Sequence, residues 1–133
     1  MLETRDKIFF IFPPPDRKER LGHGYLSAYV SWKNYFGVGA LDALGDEANR
    51  LAVKRTLIIT DAGVYQAGLA DQVKEQLSGV RLSVDVCAEA EPEPTFTRLN
   101  TLAEKFRSSK YDLMIGVGGG SSLDTAKALS ILL

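Results

Sequence analysis

The chain has 133 residues, 45% of them hydrophobic and 25% charged, with a formal net charge of −1. That length suits one domain around one core, and the near-neutral charge excludes the basic field that gathers nucleic acid. A single cysteine, Cys87, excludes an internal disulfide framework and fits a reducing compartment, and no apolar run approaches the ~20 residues of a membrane span. A cytoplasmic location, away from membranes and nucleic acid, is the first expectation.

The N-terminal part differs in character from the remainder of the chain. The apolar run "IFFIF" at residues 8–12 is too short for a secretory core and ends in three prolines. Two readings stay open for it: a strand added to a sheet edge, in this chain or a partner subunit, or a loose terminus. "PPPDRKER" at residues 13–20 mixes proline with both signs of charge and reads as an exposed, solvated arm. Residues 1–30 are therefore set apart as an arm, and residues 31–133 as the domain.

From Ser31 onward the pattern becomes regular. "SWKNYF" at 31–36 alternates like a strand, and its Trp32 and Tyr35 read as packing rather than stacking platforms. "GVG" turns it into a helix at 41–53, with Leu41, Leu44, Ala48, Leu51 and Ala52 at helical spacing. "TLIIT" at 56–60 is a continuous apolar strand stopped by Asp61 and Gly63. An amphipathic helix is expected over 69–79, with Leu69, Val73 and Leu77 inward and Gly79 as its stop. A strand comes next at 80–86, placing Val80, Leu82, Val84 and Val86 on one side. "EPEPT" at 91–95 is a turn, and 96–109 reads as a helix burying Phe96, Leu99, Ala103 and Phe106. A buried strand at 111–117 and a helix at 121–133 complete the chain. Strands that alternate with helices and read as apolar runs call for a mostly parallel sheet of four or five strands, covered by helices on both faces.

The glycine run between the last strand and last helix carries the candidate chemistry. "GVGGGSS" sits at the carboxyl end of a parallel strand, where such sheets hold ligands. Gly118, Gly119 and Gly120 lack side chains, so a ligand can approach the backbone, and the amides and dipole of the helix start favour an anion. Ser121 would add a hydroxyl. A second reading is open: Ser121 and Asp124 also fit a capping box, a local device worth ~1 kcal/mol. No lysine follows the glycines, so the run is not the triphosphate loop of ATPases. Asp61 ends an earlier buried strand, where a carboxylate can accept from ribose hydroxyls and repel a 2′-phosphate, or can simply open the turn "TDAG". The acid precedes the glycines, so the usual dinucleotide fingerprint is not matched.

Taken together, "NYFGVGALDALGDEA", "KRTLIITDAGVYQAGL", "EPEPT" and "GVGGGSSLDTAKA", in that order, resemble the N-terminal domain of the iron-containing (group III) alcohol dehydrogenases. The resemblance runs from Tyr35 to Leu133. It implies a Rossmann-like NAD-binding domain that precedes an all-helical metal-binding domain in the family. It further implies that Gly118, Gly119, Gly120 and Ser121 hold the cofactor pyrophosphate, that Asp124 lines the same pocket, and that Asp61 faces the adenosine ribose and favours NAD over NADP. The family's Pro-Asn-Pro-Thr turn corresponds to Pro92-Glu93-Pro94-Thr95, where Glu93 stands in place of a neutral amide. Ser122 stands where a proline is frequent.

The family's metal, usually iron, is held by one aspartate and three histidines of the helical domain, whereas this chain has one histidine, His23. No catalytic residue and no metal ligand is therefore assigned in this chain. The helix at the C-terminus ends in "ALSILL", apolar around most of its circumference and without a glycine stop. The expectation is a truncated chain: the NAD-binding portion of a metal-dependent dehydrogenase acting on small alcohols or aldehydes, without turnover of its own. The alternative is a non-enzymatic assembly or docking module, a homo-oligomer formed through the arm or the apolar last helix. A third reading places a nucleoside diphosphate in the same cradle. Cys87, with no activating neighbour in sequence, reads as an inert thiol, and Lys127 as an exposed helix-face lysine.

Overall fold

Parallel strands buried on both faces organise the molecule. The computed structural model describes residues 9–12 and 39–133. The strand expected at 31–36, the charged arm at 13–20 and His23 lie outside the described residues.

A short strand, β1 (Phe9–Phe12), comes first; a 3-10 turn (Ala40–Asp42) then leads into helix α1 (Ala43–Arg50). Strand β2 (Arg55–Ile59) precedes two helices, α2 (Ala62–Gln66) and α3 (Leu69–Leu77). Strand β3 (Ser83–Cys87) is followed by α4 (Phe96–Phe106), strand β4 (Leu113–Val117) and α5 (Gly120–Leu132). The sheet order is β1-β4-β2-β3. β2 runs parallel to both of its neighbours, with Ile58 opposite Ile115 on one side and Val86 on the other. β1 is antiparallel and pairs Phe9 with Val117 and Phe12 with Met114, so residues 9–12 of that apolar run add an edge strand within this chain.

Strand parity divides the core into two layers. Ile58, Leu113, Ile115 and Val117 pack with Leu44, Ala48, Leu69, Val73 and Leu77 under α1 and α3. Leu57, Ile59, Cys87 and Met114 pack with Leu102, Ala103, Ala126 and Leu129 under α4 and α5. Each fully buried leucine or isoleucine contributes roughly 1.5–3 kcal/mol relative to exposure, so the two layers are the main source of stability. Gly116 explains why α5 lies so close to β4. A Cβ there would stand 3.0 Å from Leu123 Cδ2 and 3.1 Å from Ala126 Cβ, so helix and strand meet where a side chain is missing.

Several local expectations shift. α1 is shorter than 41–53: it ends at Arg50, and Ala52 takes the left-handed conformation (φ 53) that turns the chain into β2. β3 begins at Ser83 rather than at 80, although Val80, Leu82, Val84 and Val86 do share the face packed against the first layer. α2 has no counterpart among the expected elements; Asp61 caps it, its Oδ1 accepting from Val64 N–H at 2.9 Å. α4 ends at Phe106, with a 3-10 turn over Arg107–Ser109; Ala103 is buried and Phe106 packs against the second layer as expected, but Leu102 is buried as well and Phe96 stays 74% exposed. Phe96 sits in the first turn of α4, beyond the edge of the core, where helical spacing alone cannot report reach.

Polar groups fix the strand ends. Asp112 Oδ2 accepts from the amides of Lys54 and Arg55, both at 2.9 Å, and so aligns the start of β2 with that of β4. On β3, Asp85 Oδ2 accepts from Arg55 Nη2 at 2.8 Å and from the Tyr111 hydroxyl at 2.8 Å. Arg55 and Tyr111 hold the Asp85 carboxyl below its usual range, first through the arginine hydrogen bond and then through the tyrosine. Because the folded value is depressed, this stabilisation is present above the unfolded carboxyl value of about 3.9 and is lost as pH falls below it. Asp85→Asn is expected to lower the thermal midpoint at neutral pH and to make the midpoint fall less steeply between about pH 4 and pH 2. Thermal melts of the two proteins across that range measure both effects.

Candidate functional site

Connections leave β2 and β4 towards opposite faces. The chain after β2 passes through α2 and α3 over the first core layer, and the chain after β4 enters α5 over the second. Two adjacent parallel strands with diverging exits open a crevice at their carboxyl ends, the place where doubly wound sheets bind ligands. Asp61 stands at the end of β2, and Gly118 at the end of β4.

These residues touch. A Cβ on Gly118 would lie 3.3 Å from Asp61 Oδ2 and 3.0 Å from Ser122 Oγ, and Gly118 has φ +134, a conformation that L side chains rarely adopt. Ser122, fully buried, donates from Oγ to Asp61 Oδ2 at 3.3 Å. Asp61 thus does two things at once: one oxygen caps α2 and the other meets the first turn of α5.

The start of α5 carries no side-chain cap. Gly119 is its N-cap residue, so the capping-box reading built on Ser121 and Asp124 does not hold; the helix begins at Gly120, one residue earlier than expected. Gly119 and Gly120 are exposed, and no heavy atom lies within 4 Å of a Cβ built on either. The first turn of α5 is therefore open at Gly119 and Gly120, and a helix start of this kind, with its unpaired amides and dipole, favours an anion. Gly119 has φ −82 and ψ −171, extended backbone that any residue can adopt, so the fold itself does not demand glycine there.

The other candidates separate from this cluster. Ser121 is half-buried in the first turn, where its carbonyl accepts from Thr125 Oγ1 at 2.8 Å. Asp124 is exposed one turn further along, with Oδ1 4.0 Å from Lys127 Nζ. Glu93 is exposed in its turn, and Thr95 caps α4, its Oγ1 accepting from Arg98 N–H at 3.2 Å. Cys87 is the last residue of β3, and burial pushes its thiol up, against the weaker opposing pull of the Glu89 backbone hydrogen bond and, less, of Lys105 and Arg98. A protonated, buried thiol is a packing group.

Two residues at the crevice escape the sequence pattern. Ser122 looks like a helix-start serine, and nothing local reveals that its hydroxyl reaches an acid 61 residues away. Thr60 is fully buried at the end of β2, and its Oγ1 has no hydrogen-bond partner among the described residues. A threonine closing an apolar run is the one signal the sequence offers for it. Among the described residues no three His, Cys, Asp or Glu side chains gather as a metal site, and no helix is long and apolar enough to cross a membrane.

Comparison with known proteins gives one family. The sequence model of the iron-containing alcohol dehydrogenases matches residues 32–133. Long-chain-alcohol dehydrogenase 1 of Geobacillus thermodenitrificans is 42% identical over 99 residues, covering 74% of this chain and 25% of the relative. The NAD-dependent methanol dehydrogenase of Bacillus methanolicus is 32% identical over 104 residues, covering 78% of this chain and 27% of the relative. Among solved structures, an iron-containing alcohol dehydrogenase from Thermococcus thioreducens superposes with a TM-score of 0.64 at 28% identity, over 70% of this chain and 24% of that one. The NADH-dependent butanol dehydrogenase A of Thermotoga maritima does so with a TM-score of 0.63 at 26% identity, over 80% and 28%. The chain thus spans about a quarter of the length of these relatives.

The geometry at Gly118 is directly testable. Gly118→Ala forces a side chain into a positive-φ position and against both Asp61 and Ser122, and is expected to cost about 1–3 kcal/mol of folding stability. Urea unfolding of the variant beside the parent protein measures it; an unchanged midpoint would show that Asp61 and Ser122 can part freely.

Proposed function

Because the chain belongs to the iron-containing alcohol dehydrogenase family, we propose that it binds NAD in the crevice between the ends of β2 and β4 and forms the cofactor-holding portion of an alcohol-oxidising enzyme. The observation that carries this reading is the meeting of an acid with an uncapped helix start at one point of the sheet: Asp61 beside Gly118, with Gly119 and Gly120 open. The residues present fit a dinucleotide. The open amides of α5 suit a pyrophosphate, and Asp61 keeps lone pairs on both oxygens for ribose hydroxyls. Its negative charge opposes a 2′-phosphate, which favours NAD over NADP.

In this reading Gly118, Gly119, Gly120 and Ser121 hold the pyrophosphate, Asp61 orients the adenosine ribose, and Asp124 contributes at the margin of the pocket. The bound dinucleotide supplies hydride transfer between a small alcohol and its aldehyde. The residues of the crevice contribute grip and orientation. Iron belongs, in this proposal, to a helical domain that completes the enzyme, and no side chain of the described residues is assigned to it.

Calorimetric titration of the 133-residue chain with NADH tests the proposal. Gly119→Val, tolerated by the backbone, would fill the cradle and is expected to weaken NADH binding by about tenfold or more. Asp61→Ala should weaken it about tenfold, as expected for a lost charged hydrogen bond. Absence of NADH binding, or a Gly119→Val protein that binds as well as the parent, would overturn the assignment. Equal affinity for ADP and NADH would favour a nucleoside diphosphate as ligand, and a stable oligomer that binds neither would favour an assembly module.

A further inference from the structure

The contact between Ser122 and Asp61 carries a consequence for selectivity. Ser122 is fully buried, and among the described residues its hydroxyl has one hydrogen-bond partner, Asp61 Oδ2 at 3.3 Å. That distance is long for a hydroxyl and a carboxylate, but Ser122 is shut off from bulk solvent, so giving up the bond would leave a buried donor to be satisfied elsewhere. The other carboxylate oxygen is held by Val64 N–H at 2.9 Å. Each oxygen is therefore fixed by one protein donor and retains free lone pairs towards the crevice. Gly118 closes the third side, where even a methyl group would crowd both partners.

We infer that Ser122 is a positioning residue that sets the selectivity of the site for a dinucleotide with an unmodified 2′-hydroxyl. The inference rests on the NAD-binding reading and deepens it. A carboxylate repels a 2′-phosphate effectively when it cannot rotate away from it; a carboxylate held at one oxygen alone can swing and relieve the repulsion. By fastening Oδ2 from the neighbouring helix, Ser122 turns Asp61 from a mobile acid into a fixed one. The same fixation prepares Asp61 to accept from ribose hydroxyls without a further ordering cost on binding. Ser122 touches no ligand in this scheme and acts through Asp61.

The test is a double-mutant cycle read with two ligands. NADH and NADPH are titrated against the parent protein, Ser122→Ala, Asp61→Ala and the double variant. Alanine is a good helix former and removes one buried oxygen, so Ser122→Ala is expected to fold, and its thermal melt is recorded alongside. Ser122→Ala is expected to narrow the preference for NADH over NADPH by about fivefold, the worth of one hydrogen bond. In the Asp61→Ala background the same change is expected to leave the ratio unaltered. An unchanged ratio in the single variant, or an equal shift with and without Asp61, would overturn the role of Ser122 while leaving NADH binding by the parent intact. A parent protein that binds neither nucleotide would instead overturn the cofactor reading, and the role of Ser122 with it.

Discussion

The parallel pairing of β2 with β4 is the constraint on which the rest of the molecule depends. Both strands are buried on both faces, so each must be covered by helices above and below. A parallel neighbour cannot be reached by a tight turn, and the chain must cross over a face to return. The crossover from β2 to β3 takes one face, and that from β3 to β4 takes the other. The exits of β2 and β4 consequently diverge. A crevice at their carboxyl ends is a result of connectivity, present before any functional residue is placed in it.

Close packing then brings the candidate residues within reach of each other. α5 approaches β4 across Gly116, where no side chain intervenes, and this sets the first turn of the helix beside the end of β2. Ser122 is buried by that approach, and Asp61 meets it from the neighbouring strand. The start of α5 is left without a side-chain cap while that of α2 is capped by Asp61 and that of α4 by Thr95. The starts of α1 and α3 also lack a side-chain cap, but that of α5 is the one that lies beside Asp61. With glycine as the N-cap, the missing side-chain cap costs only a few tenths of a kcal/mol, a loss that a bound anion would offset.

Charged groups outside the crevice serve attachment. Glu89 takes Arg98 at 2.9 Å and also Lys105, and Arg98 Nε lies 3.1 Å from Glu91 Oε1, which pins α4 to the loop after β3. These side chains are partly exposed, and each such pair is worth roughly 0–1 kcal/mol. The aromatic edge of Tyr111, with Phe106 6.2 Å away and Arg55 stacked at 5.3 Å, closes the far end of the second layer. Stability is thus concentrated in the apolar layers and at the strand starts, while the carboxyl ends of β2 and β4 carry the proposed cofactor site.

The sequence by itself determined the fold class, the identity of strands β2 and β4, the amphipathic helices α3 and α4, and the glycine turn, because these depend on local periodicity and on residues with special backbone freedom. It also put Asp61 and Gly118 at strand ends, since an acid or a glycine run stops an apolar strand wherever it stands. What it left open required distance in space. Whether "IFFIF" joined the sheet depended on β4 offering a free edge, and whether Phe96 was buried depended on how far the core extends beneath α4. Ser121 resembles a helix cap because a capping pattern spans only four residues, whereas the cap falls at Gly119 and the helix starts at Gly120, where the end of β4 releases the chain. The meeting of Ser122 with Asp61 was decided by tertiary structure alone: a hydrogen bond between residues 61 positions apart exists through the crossover that lays α5 against β2, and no local pattern records it.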